Sequence, residues 1–231
     1  GNSDLVGPDG DVEFISGEET VTYTGIETLG NAPTLSVPGP QEVDEDNNLL
    51  FSSNDNPIVL SDADSSSITV TLTVTQGTLT LSQVTGLTFN SGTANGDSTL
   101  DVTGSTANLN AALNGMNYLP DANFNGPDTL TASATDAEGF MTASNSTVSI
   151  TVVPVNDAPV NILPGSFTVA EDTSITLTGL SFSDVDTGTL TVEFTAVGGT
   201  LSATASGAAV LGGSGSELSI TGTITDINNT L

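Results

Sequence analysis

The feature that most constrains this chain is a series of short motifs that occurs twice in the same order. Asn31-Ala32-Pro33, Val43-Asp44-Glu45-Asp46 and Asp62-Ala63-Asp64 come first. Asp157-Ala158-Pro159, Val169-Ala170-Glu171-Asp172 and Asp184-Val185-Asp186 follow. Positions 31 and 157 lie 126 apart, as do 45 and 171. The offset is 122 between 62 and 184, and 118 between residues 100–104 and residues 218–222. Such an order predicts two copies of one unit joined at Asn156-Asp157, each a supersecondary assembly with its own turns. Residues 1–30 read as closing strands of a preceding copy or as a donor segment. Residues 31–156 form a complete copy, and 157–231 a second copy incomplete at its C-terminal side. Leu231 corresponds to Leu113, so the second copy as given cannot close its sandwich alone.

Within each copy the side-chain period is two. In Ile68-Thr69-Val70-Thr71-Leu72-Thr73-Val74, apolar residues point one way and threonines the other, as in a half-buried antiparallel strand. Residues 78–81, 87–89, 99–102, 129–132 and 147–152 continue the pattern, with Gly, Asn, Asp and Pro between them as turn residues. The exception is 105–115, where a hydroxyl cap, apolar residues four apart and a closing Gly predict one short helix. The expected fold class is all-β: tandem Greek-key β-sandwiches, with one short helix or helical turn per repeat.

Composition narrows the chemistry. The chain has no Lys, Arg, His or Cys and 28 acids, for a formal net charge of -28. No salt bridge between side chains can form, so each carboxylate is solvated, hydrogen-bonded or neutralised from outside. At 36% hydrophobic with regular alternation, the chain is expected to fold and not to solvate as a disordered acidic tail. Nucleic acid is excluded as a partner, because neutralising phosphates needs Lys or Arg. No apolar run is long enough to insert in a membrane. Gly1 onward shows no signal peptide, so the start reads as mid-chain. Without His, Cys, Lys or Arg no nucleophile–base pair or cationic clamp can be assembled. Only a carboxylate pair of glycosidase type survives, nothing marks two acids as such a pair, and no enzyme is expected. Metal chemistry is limited to hard oxygen ligands, which suits Ca²⁺.

Several motifs together carry a resemblance. Ala134-Thr135-Asp136, Val155-Asn156-Asp157-Ala158-Pro159, the Val-x-Glu-Asp and Asp-x-Asp pairs, and residues 118–130 (Tyr118 to Leu130) are similar to cadherin-like tandem repeats of very large bacterial surface proteins. The resemblance implies that the units are tandem cadherin/immunoglobulin-like Greek-key β-sandwiches, and that the chain is an extracellular, Ca²⁺-rigidified spacer of a large bacterial surface or matrix protein. Carried over residue by residue, the joint at 156 would draw on Glu45, Asn156, Asp157, Asp184 and Asp186. The joint at 31 would use Asp62, Asp64 and Asp136, and Glu171 with Asp172 would serve a further joint. Pro154 stands where cadherins have an Asp, and no Asp-Arg-Glu motif is present, so one Ca²⁺ per joint is the expectation.

Plainer readings stand beside this one. An Asp-x-Asp pair also closes turns without metal, and Asp9-Gly10-Asp11 reads as a solvated turn. An EF-hand loop counted from Asp184 puts Thr189 and Thr195 where Gly and Glu are required. Asn145-Ser146-Thr147 and Asn228-Asn229-Thr230 match the glycosylation sequon. The expected partners are neighbouring repeats or other copies of the chain, and glycans or matrix. One rival function is a self-assembling filament in which residues 11–29 complete a neighbour's sandwich by strand addition. The other is a carbohydrate-binding module, disfavoured by 4% aromatics and no Trp.

Overall fold

The computed structural model describes residues 31–90, 92–142, 145–186 and 188–231, together with the backbone of 5–6, 12–16 and 19–23. Among the described residues the regular structure is mostly β-strand with two short helices, and the chain divides into two compact units, Gly1–Pro154 and Val155–Leu231. In the first unit β1 (Leu5–Val6), β2 (Val12–Ser16) and β3 (Glu19–Tyr23) form a three-stranded antiparallel sheet of their own. The rest of the proposed donor segment, residues 11, 17–18 and 24–29, lies outside the described residues, as does the Asp9-Asp11 turn.

A sandwich follows. Its elements are β4 (Thr34–Ser36), β5 (Gln41–Asp44), β6 (Leu49–Phe51), β7 (Val59–Ser61), β8 (Ile68–Thr73), β9 (Gly77–Thr80), β10 (Leu87–Phe89), β11 (Thr99–Gly104), α1 (Thr106–Leu113), β12 (Met116–Pro120), β13 (Gly126–Asp136) and β14 (Ser146–Val153). One sheet has the order β10-β11-β8-β13-β14-β5, the facing one β6-β12-β9, and β4 pairs with β7. The alternation in β8 works as the sequence predicts: Ile68, Val70 and Leu72 are fully buried, while the threonines between them are half-exposed. They pack with Leu100, Leu130, Ala132 and Ile150 against Phe51, Leu79, Met116 and Tyr118. Helix α1 closes one side with Leu109, Ala112 and Leu113 buried; Ser105 caps it by accepting from the Asn108 N–H. Gly77 (φ 141) is fixed by space as well as conformation. A Cβ there would come within 2.3 Å of the Leu119 carbonyl oxygen on the paired strand.

The second unit contains β15 (Val160–Ile162), β16 (Ser181–Ser183), β17 (Thr189–Thr195), β18 (Val210–Gly212), β19 (Glu217–Thr223) and α2 (Ile224–Thr230). Strand β17 pairs with β19 and β19 with β18; β15 pairs with β16. Its core is small: Phe182, Ala209, Ile220 and Ile227, with Phe182 and Phe194 meeting edge to face. Leu190, Val192 and Phe194 of β17 are only partly buried, whereas the corresponding β8 residues are buried completely. The physical reason is local: β8 lies between β11 and β13, and β17 has one described neighbour, β19.

Several specific contacts inside the first unit have counterparts inside the second. Asn110 of α1 brackets Leu60, accepting from its N–H (2.9 Å) and donating to its carbonyl (2.8 Å). Asn228 of α2 brackets Phe182 in the same way, both at 2.9 Å. The Thr69–Thr103 hydroxyl pair (2.7 Å) has its counterpart in Thr191–Thr221 (2.8 Å). Asp46 and Asp172 both take the left-handed backbone conformation, at φ 60 and 57.

Candidate functional site

Three of the acids singled out from sequence lie toward one end of the first sandwich. Asp62 follows β7, and its Oδ1 accepts from the N–H of Asp64 (3.1 Å) and of Ser65 (2.7 Å), closing an Asx-type turn. Asp64 is exposed and its Oδ2 accepts from the Asn31 N–H (2.9 Å), fixing the chain entering the unit. Asp136 ends β13 opposite Ile68, is 6% exposed, and accepts from the Phe140 N–H at Oδ1 (2.7 Å). The Ser65 hydroxyl accepts from the Ala137 N–H (3.4 Å), so the Asp62 turn and the end of β13 are tied to each other. Nothing in the motif spacing points to Ser65; its role follows from the turn that Asp62 closes.

The chemistry here is unbalanced. Asp62 Oδ2 and Asp136 Oδ2 are buried oxygens with no hydrogen-bond donor. A buried polar atom left in this state costs free energy, more if it carries charge. Such a pair is suited to a hard cation, which carboxylate oxygens bind. Among the described residues, however, no three acidic side chains converge closely enough to form a cage by themselves. A Ca²⁺ shell of about six to eight oxygens therefore needs carbonyl or water ligands as well.

The remaining predicted ligands lie elsewhere. Glu45, 3% exposed, follows β5; its N–H donates to Val153 O (2.9 Å), and its Oε2 accepts from Asn125 Nδ2 (3.3 Å). Residue 153 pairs with Asp44 at the C-terminal end of β14, while Asp136 lies at the other end of the antiparallel β13. Ten residues of strand separate these ends, about 33 Å at the usual rise, so Glu45 and Asp136 cannot share an ion. In the second unit the Asp186 N–H donates to Asp184 Oδ1 (2.9 Å), and Asp186 Oδ2 accepts from the Asp157 N–H. This repeats the Asn31–Asp64–Asp62 arrangement. Asn156 is exposed and donates to the Asp157 carbonyl; Glu171 and Asp172 are exposed on a turn.

A second buried carboxylate escaped the sequence reading. Asp128 of β13 is 4% exposed and accepts from Thr75 N–H (3.2 Å) and Oγ1 (2.7 Å), Gln76 N–H (3.1 Å), Thr129 N–H (2.7 Å) and the Tyr118 hydroxyl (2.9 Å). Burial pushes its pKa up, but the donors from Thr75, Thr129 and Tyr118 together outweigh it and hold the carboxyl below the ordinary range. Burial pushes Tyr118 strongly upward, helped by its hydrogen bond to Asp128 and by that residue's negative charge. The Tyr118 hydroxyl also lies 2.7 Å from Gln76 O, which leaves Asp128 fully coordinated by protein. It is a structural knot with no capacity for a ligand.

Comparison with known proteins corrects the family expectation. The family model that matches is a domain of Protein GAMETE EXPRESSED 2 (GEX2), over residues 54–145, inside the first unit. The chain is therefore similar in that part to the GEX2 domain, and not to cadherin-like repeats of bacterial surface proteins. Physically, the motifs that suggested the bacterial family are turn chemistry. Asp62 and Asp184 close their own turns, and Asp46 and Asp172 supply a left-handed residue, which serves any sandwich needing those bends. No curated protein matches the chain. No helix among the described residues is long and apolar enough to cross a membrane.

Proposed function

We propose that this chain is an extracellular or surface-exposed, non-catalytic structural or adhesive protein. Its two units are tandem repeats of one sandwich plan, and its acidic end takes up Ca²⁺. The observation that carries the reading is the pair of buried, donorless oxygens on Asp62 and Asp136 in a chain with no cationic side chain. Asp62 and Asp136 would hold the ion, with Asp64 beside them. Its double charge would offset the repulsion that carboxylates impose on each other, and binding the folded state alone would stabilise it by mass action. In the second unit the Asp184–Asp186 turn has the same construction and is proposed as the equivalent half-site. The shared brackets and hydroxyl pairs support a repeated unit. Similarity to the GEX2 domain over residues 54–145, and a sequence without His, Cys, Lys or Arg, support a surface role without chemistry.

The test is calorimetry on the full chain. Titrated Ca²⁺ should bind and raise the melting temperature, and EDTA should reverse the shift. Asp136→Asn should abolish the Ca²⁺ response while leaving the EDTA-treated protein at least as stable as wild type, since it removes an unpaired buried charge. Equal melting with Ca²⁺ and with EDTA would defeat the proposal.

A further inference from the structure

The two glycosylation sequons, Asn145-Ser146-Thr147 and Asn228-Asn229-Thr230, sit in different surroundings. Asn145 is exposed just before β14, and no hydrogen bond to a described residue ties its side-chain amide. Thr147 is exposed too, and Ser146 anchors the strand through its own hydroxyl, which donates to the Leu35 carbonyl (2.9 Å). Asn228 is engaged on both atoms: Oδ1 accepts from Phe182 N–H and Nδ2 donates to Phe182 O.

We infer that Asn145 is an N-glycan attachment site and that the Asn228 sequon is closed to modification in the folded protein. The inference rests on the surface reading above, since only a chain passing through a secretory route meets the glycosyl donor. That donor is by class a lipid-linked oligosaccharide diphosphate. Asn145 Nδ2 attacks the anomeric carbon, an N–C bond forms, and the C–O bond to the diphosphate breaks. The diphosphate lipid leaves with the electron pair, and the Nδ2 proton passes to a base of the transferase.

Geometry decides between the two sites. A glycosylated asparagine is a secondary amide, and a secondary amide keeps the trans arrangement. The anomeric carbon then lies on the same side of the C–N bond as Oδ1. In Asn228 that position holds the hydrogen given to Phe182 O, because the bracket uses the oxygen and the hydrogen on one side of the amide. A sugar there expels the strand that carries Phe182, one of the four buried apolar residues of its unit. Asn110 makes the same bracket in the first unit, and no sequon starts there.

The experiment is expression of the full chain with a secretory leader in a eukaryotic host. Intact mass is then measured before and after N-glycosidase F in heavy-oxygen water. Peptides must come from an acid-specific protease, as trypsin has no site. The expected result is one glycan, with the heavy-oxygen label only at position 145 and its loss in Thr147→Ala. Thr147→Ala should keep the wild-type urea midpoint. A secreted wild-type chain unmodified at Asn145, or a folded one carrying sugar at Asn228, overturns the inference. Either result leaves the Ca²⁺ titration, and the reading it tests, unaffected.

Discussion

Replacing Asp128 with asparagine tests whether the knot around that carboxylate holds the first sandwich together. Both oxygens of Asp128 accept from protein donors, so an amide cannot satisfy the site in either orientation. With the new Nδ2 on the Tyr118 side, Tyr118 can turn its hydrogen to Gln76 O, but the Gln76 N–H is left facing another donor. A stranded buried donor costs about 1–3 kcal/mol, and the remaining bonds lose their charge assistance, at roughly 1 kcal/mol more. The expected loss is about 3 kcal/mol at pH 7. For a unit of this size that lowers the melting temperature by roughly 10–15 °C. The pH dependence gives an independent check. The folded pKa of Asp128 is depressed, so its contribution is fully present above the unfolded pKa near 4 and disappears as pH falls through the folded pKa. Urea denaturation of wild type and Asp128→Asn should thus differ most at neutral pH and converge in acid. A difference that is absent at pH 7, or unchanged from pH 7 to pH 2.5, would refute the reasoning.

Three further outcomes follow from the same contacts. Tyr118→Phe should cost about 1–2 kcal/mol, less than Asp128→Asn, because Gln76 N–H still serves Asp128 Oδ2; urea midpoints give the ranking. Asn110→Ala and Asn228→Ala each strand one backbone N–H and one carbonyl, and each should destabilise its own unit by roughly 2 kcal/mol, seen as local loss of hydrogen-exchange protection at Leu60 or Phe182. Gly77→Ala should cost about 2–3 kcal/mol through overpacking against the Leu119 carbonyl, again read by urea denaturation.

The period of two in residues 68–74 and the capped helix at 106–113 were legible because each is a local pattern with one physical solution. The short strands β5, β6, β7 and β12 were not, since runs of three to five residues carry too few alternations to stand out. The site divides similarly. Asp62, Asp64 and Asp136 could be named from their motifs, and the structure ties Asp62 and Asp136 together through Ser65. Asp128 stood unmarked within residues 118–130; only the register of β13 against its neighbours places it beside Thr75 and Tyr118. The Asn110 and Asn228 brackets did leave a trace in sequence, as an asparagine after the buried Leu109 and Ile227 of each helix. The family assignment failed because short turn motifs report bends, which unrelated sandwiches share.

A chain without Lys or Arg forgoes salt bridges between side chains, and the structure shows what takes their place. Asp46 accepts from the Asn123 N–H, Asp64 from Asn31, Asp97 from Ala94, Asp136 from Phe140 and Asp186 from Asp157. Each of these acids binds a main-chain donor that a turn would otherwise leave bare, and several reach across the sequence to do so. Little is forfeited, because an exposed ion pair contributes only about 0–1 kcal/mol, whereas a backbone amide held by a carboxylate is a charge-assisted bond. Several of the described acids thus carry their charge on a turn where a main-chain N–H stabilises it. Asp62 and Asp136 depart from the rule. Each uses one oxygen in this way and keeps the other buried without a donor. Backbone amides meet the demand of the isolated acids; on Asp62 and Asp136 one oxygen each is left without a protein donor, and that is where the proposed Ca²⁺ would act.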